Sequence, residues 1–294
     1  MLKVRKVIIP VAGLGTRVLP ASKAIPKEMM PVVDKPVIQY VVEEAVAAGI
    51  KEIILVTRNG KSAIEDHFDS HYELEAELAR KNKTALLAAI QNIIPSDVSI
   101  IAVRQDQAKG LGHAVHCAAP LINDEPFAVI LPDVLVNNAA DEKNDLARMV
   151  AEFEATSAAQ IMVGEVAAEK VQSYGIADCK GVQLAAGQST AISGLVEKPT
   201  PEQAPSNLAV IGRYILPARV MSLLADGKPG AGGEIQLTDA IDSLLSEQSV
   251  AAYKMTGETY DCGEKLGYVK ANIAYGLQHS ETAVGLKEFI ENLV

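Results

Sequence analysis

A doubly wound, mostly parallel α/β sheet of Rossmann-like kind is predicted by three observations. Apolar strand-like runs alternate with helix-like segments through roughly the first 170 residues, the rhythm of a parallel sheet covered on both faces. The first of these runs, Lys6-Val-Ile-Ile-Pro-Val, ends in a glycine-rich turn. Beyond it the later half shifts to short strands and turns, then closes on helix-like sequence. The predicted class is therefore α/β, with a β-rich elaboration on the later half and a C-terminal helical tail.

The elements follow in order. Val7–Val11 reads as a buried strand, and 36–48 as a helix with Asp34 near its start, Pro36 near the first turn and Gly49 as its stop. Ile53–Thr57 is a second strand, and the spacing over 71–93 predicts a long helical region, charged on one face by Glu73, Glu75, Glu77, Arg80 and Lys81. Val98–Val103 is a strand, 111–119 a helix, 127–131 a strand, 146–156 a helix and 160–166 a strand. Turns are expected at Lys180-Gly181 and Gly187-Gln188, with a proline-rich loop at Pro199–Pro205. Leu208–Leu216 then reads as a strand, 234–245 as a helix and 250–255 as a strand, and the chain is helical from Lys265. Residues 1–263 are expected to form one domain with halves of about 1–135 and 136–263, and 264–294 a tail.

Length and composition bound the function. The 294 residues carry a net charge of −10, which argues against general affinity for nucleic acid or anionic membrane. No apolar run approaches the ~18 residues that a membrane span needs. Aromatics are scarce, with no Trp, four Phe and eight Tyr, so the core must be built from Val, Ile, Leu and Ala. Cys117, Cys179 and Cys262 form no C-x-x-C pair and read as free thiols, so a soluble, cytoplasmic chain is expected. His67, His71, His113, His116 and His279 lack zinc-site spacing, and no G-x-S-x-G elbow supports a hydrolase.

The chemistry concentrates in a few places. Gly13-Leu-Gly15-Thr16-Arg17 ends the first strand, and Lys27 follows ten residues later. Glycines let backbone N–H groups approach a ligand, and Arg and Lys add positive charge for phosphate. A dinucleotide fingerprint fails because Val18 stands where its last glycine would be, and no P-loop pattern exists. Asp133 ends a strand in Leu131-Pro-Asp133, where α/β sheets bind ligands, and is a suitable hard oxygen ligand for Mg²⁺; a helix-cap or turn role is the plain alternative. Asp261, before Cys262-Gly263, is alone an ordinary turn aspartate. Glu197-Lys198 is either a solvated pair at a strand end or a sugar-hydroxyl acceptor beside a phosphate-binding cation. Gln105, whose amide both donates and accepts, precedes Lys109-Gly110-Leu-Gly-His113; base recognition and simple loop closure are equally open on these residues alone. Lys23, Arg58 and Arg104 read as surface or secondary charges.

Taken in order, Val11-Ala-Gly-Leu-Gly-Thr-Arg17, Lys23-Ala-Ile-Pro-Lys-Glu-Met29, Val33-Asp-Lys-Pro36, Lys109-Gly-Leu-Gly-His113, Leu131-Pro-Asp133, Val196-Glu-Lys-Pro199, Gly212-Arg-Tyr214, Glu234-Ile-Gln-Leu-Thr-Asp-Ala240 and Asp261-Cys-Gly263 span nearly the whole chain. Each is weak alone; in this order and spacing the chain resembles the sugar nucleotidyltransferases, and among them the bacterial UTP-glucose-1-phosphate uridylyltransferases. The resemblance implies that Ala12 and Gly13 contact the nucleoside within a loop that includes Gly15 and Thr16, and that Arg17 holds the tail that leaves as pyrophosphate. It implies Lys27 near the α-phosphate, Glu28 lining the nucleotide site, and Gln105 and Gly110 reading uracil, with Gln107 a second glutamine in the same loop. It further implies Asp133 and Asp261 as Mg²⁺ ligands, and Gly175, Glu197 and Lys198 on glucose 1-phosphate. UTP and glucose 1-phosphate would be the substrates, and the chain a homo-oligomer, dimer or tetramer, with the tail as a candidate contact. A thymidylyltransferase or related sugar-1-phosphate nucleotidyltransferase is the neighbouring alternative, since uracil and thymine differ by one methyl. A non-catalytic regulatory relative is the alternative from another class; the presence of Thr16 and Arg17 favours an active enzyme.

Overall fold

The structure, a computed structural model, describes residues 3–138 and 143–293; residues 1–2, 139–142 and 294, which fall within the expected domain limits, lie outside the described residues. In chain order the first half runs β1 (Lys6–Pro10), a small hairpin of β2 (Pro31–Val32) and β3 (Lys35–Pro36), α1 (Val37–Ala47), β4 (Glu52–Thr57), α2 (Ser62–Asp66), α3 (Tyr72–Arg80), α4 (Thr84–Gln91), β5 (Ser99–Arg104), α5 (Leu111–His116), α6 (Ala119–Ile122), β6 (Phe127–Ile130) and β7 (Val134–Asn137). The second half runs α7 (Asp145–Thr156), β8 (Ala159–Glu165), β9 (Gly175–Asp178), β10 (Ser189–Ala191), β11 (Gly194–Glu197), β12 (Leu208–Leu216), α8 (Arg219–Ala225), α9 (Leu237–Leu244), β13 (Val250–Lys254) and β14 (Glu258–Asp261), followed by the tail helices α10 (Lys265–Gly276) and α11 (Ala283–Glu291).

The main sheet has the order β10-β13-β8-β12-β6-β1-β4-β5, with β9 joined to β12 and β11 to β9. β1 pairs in parallel with β4 and with β6, and β4 in parallel with β5. The chain therefore builds outward from β1 to β5, then crosses back to lay β6 on the other side of β1. That reversal creates a crevice beyond the carboxyl ends of β1 and β6, where sheets of this class bind ligands. β12 runs antiparallel to both β6 and β8, so one sheet continues across residue 135.

Alternation along the central strands fills two cores. Ile8, Ile54, Val56, Phe127 and Val129 face one side with α5, α8 and α9. Val7, Ile9, Ile53, Leu55, Ala128 and Ile130 face the other with α1 and α7. Burial on both faces explains why these strands read as continuous apolar runs rather than alternating ones. The predicted doubly wound α/β class is the observed one.

Three element boundaries differ from the sequence expectation. The long helix expected over 71–93 is two helices, α3 and α4, broken where Asn82 takes a left-handed conformation (φ 53°). The helix expected over 111–119 stops at His116 and resumes as α6. The helix expected from Glu234 begins only at Leu237, because 234–236 is extended and its backbone is used elsewhere: Ile235 N–H donates to the Lys109 carbonyl and the Ile235 carbonyl accepts from Gly112 N–H, each at 2.8 Å. β7, which pairs with β14 in a small antiparallel sheet, is an addition to the expected strands.

Candidate active site

The crevice at the switch point opens into a cleft of about 600 Å³. Its floor is the loop after β1. Gly15 takes φ 68°, and a Cβ there would lie 3.2 Å from Cβ of both Lys27 and Ser22, so a side chain would be strained in backbone and crowded in space. The Gly15 carbonyl accepts from Ser22 Oγ at 2.7 Å, holding the loop closed. A 3₁₀ turn over Thr16–Val18 then turns Arg17 toward the end of β6, and a second turn over Lys27–Met29 does the same for Lys27. Ala12, Gly13, Thr16 and Glu28 line the same cleft, as do Gln105, Gly110 and Asp133.

Charge gathers at one end. Lys27 Nζ lies 2.5 Å from Asp133 Oδ2. Arg17 bridges two carboxylates, with Nη1 3.0 Å from Asp261 Oδ2 and Nη2 3.3 Å from Asp133 Oδ2. The loops carrying the two aspartates are tied together: Cys262 N–H donates to the Asp133 carbonyl at 2.7 Å. Burial pushes the Asp133 carboxyl up, but Lys27 and then Arg17 outweigh it and hold it below the usual aspartate range. Burial and the neighbouring Asp133 charge push the Asp261 carboxyl up instead, against the pull of Arg17. Burial lowers the Arg17 guanidinium, yet the two aspartates raise it further. Cys262, beside them, has its thiol pushed up to about 12 by burial and by both aspartates, which disfavours the thiolate.

This pair of carboxylates suits a hard divalent cation. A Cβ at Gly263 would stand 2.6 Å from Arg17 Nη2, 2.7 Å from Asp133 Oδ2 and 2.8 Å from Asp261 Oδ1, so the bare backbone there leaves room for the guanidinium between the two carboxylates. Among the described residues no group of three or more His, Cys, Asp or Glu could hold a metal. An ion at this place would take its remaining oxygens from water and phosphate, as Mg²⁺ characteristically does.

At the other end of the cleft, Gln105 is buried and Gln107 exposed. The Gln105 amide nitrogen lies 3.0 Å from His113 Nδ1 and 3.5 Å from the Gly110 carbonyl. Burial lowers the His113 imidazole, favouring its neutral form. Glu28 is buried, with Oε2 accepting from Lys61 Nζ at 2.8 Å, while its Oε1 has no partner. Burial pushes the Glu28 carboxyl up, against Lys61.

The remaining predicted residues form a second cluster on β9 and β11. Gly175 and Glu197 are cross-strand partners. Glu197 Oε2 accepts from Thr238 Oγ1 at 2.9 Å, and Oε1 lies 3.3 Å from Lys198 Nζ. A Cβ on Gly175 would meet Thr238 Cγ2 at 2.9 Å and Glu197 Oε2 at 3.2 Å, so a side chain there would crowd both partners. Lys198 has a left-handed φ of 47° and a half-exposed side chain. Tyr174, next to Gly175, feels the first cluster: burial and then Asp261 push its phenol up. Sequence reasoning missed Lys61, quoted Thr238 and Gly263 within motifs without giving them a role, and treated Arg58, which lines the cleft, as a secondary charge.

Comparison with known proteins gives the family and the fold. Residues 6–277 match the family described as nucleotidyl transferase. A UTP-glucose-1-phosphate uridylyltransferase of Haemophilus influenzae is 55% identical over 290 residues, covering 98% of each chain. One of Escherichia coli is 55% identical over 291 residues, 98% of this chain and 96% of that one. A UTP-bound UGPase from Acinetobacter baumannii superposes with a TM-score of 0.92 at 51% identity, covering 99% of this chain and all (100%) of that one. The chain belongs to the nucleotidyl transferase family, as an enzyme of the uridylyltransferase kind.

Proposed function

We propose that this chain transfers the uridylyl group of UTP to glucose 1-phosphate, giving UDP-glucose and pyrophosphate. The observation that carries the reading is one switch-point cleft with a glycine loop for the nucleotide, Gln105 at one end and the Arg17–Lys27–Asp133–Asp261 cluster at the other. A phosphate oxygen of glucose 1-phosphate attacks the α-phosphorus of UTP in line with the departing oxygen; the bond to that oxygen breaks and pyrophosphate leaves. The nucleophile is already anionic, so no side chain has to remove a proton. The barrier lies in bringing polyanions together and in charge on the leaving group, and positioned cations lower it.

In this reading Arg17 takes the charge of the leaving pyrophosphate, Lys27 faces the α-phosphate and Lys198 holds the sugar phosphate. Ala12, Gly13, Gly15 and Thr16 supply close backbone, and Glu28, Gln105 and Gly110 fit the nucleoside. Gly175 and Glu197 fit the sugar, the carboxylate accepting from its hydroxyls. Asp133 and Asp261 would hold Mg²⁺, which when bound neutralises phosphate charge.

Two further readings accompany this one. Leu266, Val269, Val284 and Phe289 of the tail are exposed, and we read α10 and α11 as a contact within a homo-oligomer. No described helix is long and apolar enough to cross a membrane, and with three free cysteines the chain is read as cytoplasmic. Pyrophosphate release, measured with each nucleoside triphosphate against each hexose 1-phosphate with and without Mg²⁺, tests the activity. UTP with glucose 1-phosphate and Mg²⁺ gives the highest kcat/KM; a preference for dTTP or a metal-independent rate would overturn it.

A further inference from the structure

Arg213 is a charged residue in the middle of an otherwise apolar strand, Leu208-Ala-Val-Ile-Gly-Arg-Tyr-Ile-Leu216, and its side chain is wholly buried. Such a charge persists only when it is paired and hydrogen-bonded. Its Nε and Nη2 donate to Glu44 Oε1 and Oε2 of α1, at 3.0 and 2.6 Å. Nη2 also donates to the Val134 carbonyl at 2.7 Å, and Nη1 to the Leu131 carbonyl at 3.4 Å. Those two carbonyls stand on either side of Asp133. The adjoining residue completes the hold: the Gly212 carbonyl accepts from Leu131 N–H at 2.9 Å.

The local backbone is shaped for this contact. Register between β12 and β8 slips between Val210 and Tyr214, a bulge that redirects the strand. Gly212 inside it takes φ 73°, and a Cβ there would lie 2.8 Å from the Leu131 side chain. The bulge thus presses Gly212 against Leu131 and points the Arg213 fork at the 131–134 turn, while the bidentate pair with Glu44 fixes the plane of the guanidinium.

We propose that Arg213, oriented by Glu44, is a positioning residue for Asp133: it clamps the backbone before and after that aspartate and so sets the place of its carboxylate. The proposal rests on the reading of Asp133 as a cation ligand. A lysine could keep the charge and the pair with Glu44, but a point donor cannot span both carbonyls. Partners behind a metal ligand typically contribute about 10–100-fold to metal affinity or activity.

The test uses the full-length protein with Mn²⁺ as probe ion in the presence of UTP, read by water-proton relaxation, beside steady-state kinetics. In Arg213→Lys the Mn²⁺ dissociation constant rises by about 10-fold or more and kcat falls by a similar factor, while KM for glucose 1-phosphate stays within about twofold. Amide hydrogen exchange over 131–136 speeds up in the same variant. Glu44→Gln, which keeps the volume and both carbonyl bonds but loosens the guanidinium, shifts the Mn²⁺ constant the same way by a smaller factor. Unchanged Mn²⁺ binding and unchanged exchange over 131–136 in folded Arg213→Lys would show a packing ion pair only and overturn the proposal. If Arg213→Lys does not fold, Glu44→Gln decides, and wild-type Mn²⁺ binding there overturns it. A wild-type protein that binds Mn²⁺ at this place but makes no UDP-glucose would instead overturn the proposed activity and leave the clamp standing.

Discussion

The two clusters are built on different principles. At the β1/β6 switch point the clustered charges are already engaged: Lys27 with Asp133, Arg17 with both aspartates, Glu28 with Lys61. Just past β11, Lys198 pairs among the described residues with its neighbour Glu197 and projects half-exposed from a left-handed backbone position. The first region is held in shape by long-range pairs, so a phosphate entering it competes with carboxylates for the same cations. The second is an open cation on a strained residue, a conformation that persists only where the surrounding chain imposes it. Rate should therefore be governed by the first region and capture of the second substrate by the other.

The strongest way to break this contrast is Asp133→Asn. The amide keeps the shape but not the anion, and it strips Lys27 and Arg17 of a partner. Turnover falls on the order of 10²–10³-fold, the scale for removing one preorganised electrostatic group, with the thermal midpoint little changed. Asp261→Asn acts in the same direction. Wild-type turnover of Asp133→Asn at saturating Mg²⁺ would remove this aspartate from the reaction.

Next comes the division of labour between cations. Lys198→Ala raises KM for glucose 1-phosphate by roughly 10- to 150-fold, the equivalent of about 1.5–3 kcal/mol for a charged hydrogen bond, and leaves KM for UTP near its original value. Arg17→Ala mainly lowers kcat. Initial-rate matrices in both substrates separate the two patterns, and a Lys198→Ala that weakens only UTP would reverse the assignment of the regions.

How far these regions could be read from the sequence follows the same division. Strands buried on both faces announce themselves as Val/Ile runs, so β1, β4 and β6 and the glycine loop were legible, as was the place of Asp133 at a strand's end, whereas Asp261 by itself read as an ordinary turn aspartate. The breaks at Asn82 and before Leu237 were not, because each depends on what the backbone meets in space; Ile235 is extended only because Lys109 and Gly112 pair with it. Glu44 and Arg213 are 169 residues apart, beyond any local pattern. Arg213 did leave one signal, a lone charge inside an apolar strand, which has to be paired somewhere. Lys61 left none, since a lysine after Asn-Gly reads as a turn.

A smaller effect sharpens the contrast by pH. Burial raises the Glu28 carboxyl, so as pH falls it takes up a proton before an ordinary glutamate near about 4.3. The neutral acid no longer matches Lys61, and the nucleotide wall loosens. KM for UTP should rise several-fold on the acid side, with a midpoint above that value, whereas KM for glucose 1-phosphate lacks this limb. Lys61 and Lys27 are the cations facing the group. In Glu28→Gln the limb in KM for UTP disappears; its survival there would assign the titration to another group.

The smallest expected effect tests whether the open region recognises its ligand or only attracts it. Glu197 is not free: Thr238 already donates to Oε2, and Lys198 lies beside Oε1. A carboxylate has about four acceptor positions, so room remains for sugar hydroxyls, but part of its capacity serves to hold its own orientation. Glu197→Ala thus removes a fixed acceptor that distinguishes one hydroxyl arrangement from another, and it also frees Thr238. The discrimination between glucose and galactose 1-phosphates should fall by about 1.5 kcal/mol, roughly tenfold, near the lower end for a hydrogen bond to a charged group. Thr238→Val, which leaves the carboxylate in place but lets it swing, should lose a smaller share of the same preference. Competition between equal concentrations of the two sugar phosphates measures both. If Glu197→Ala keeps the wild-type preference while Lys198→Ala still raises KM, the β9/β11 region is an electrostatic anchor alone, and the sugar is read by the geometry of the cleft.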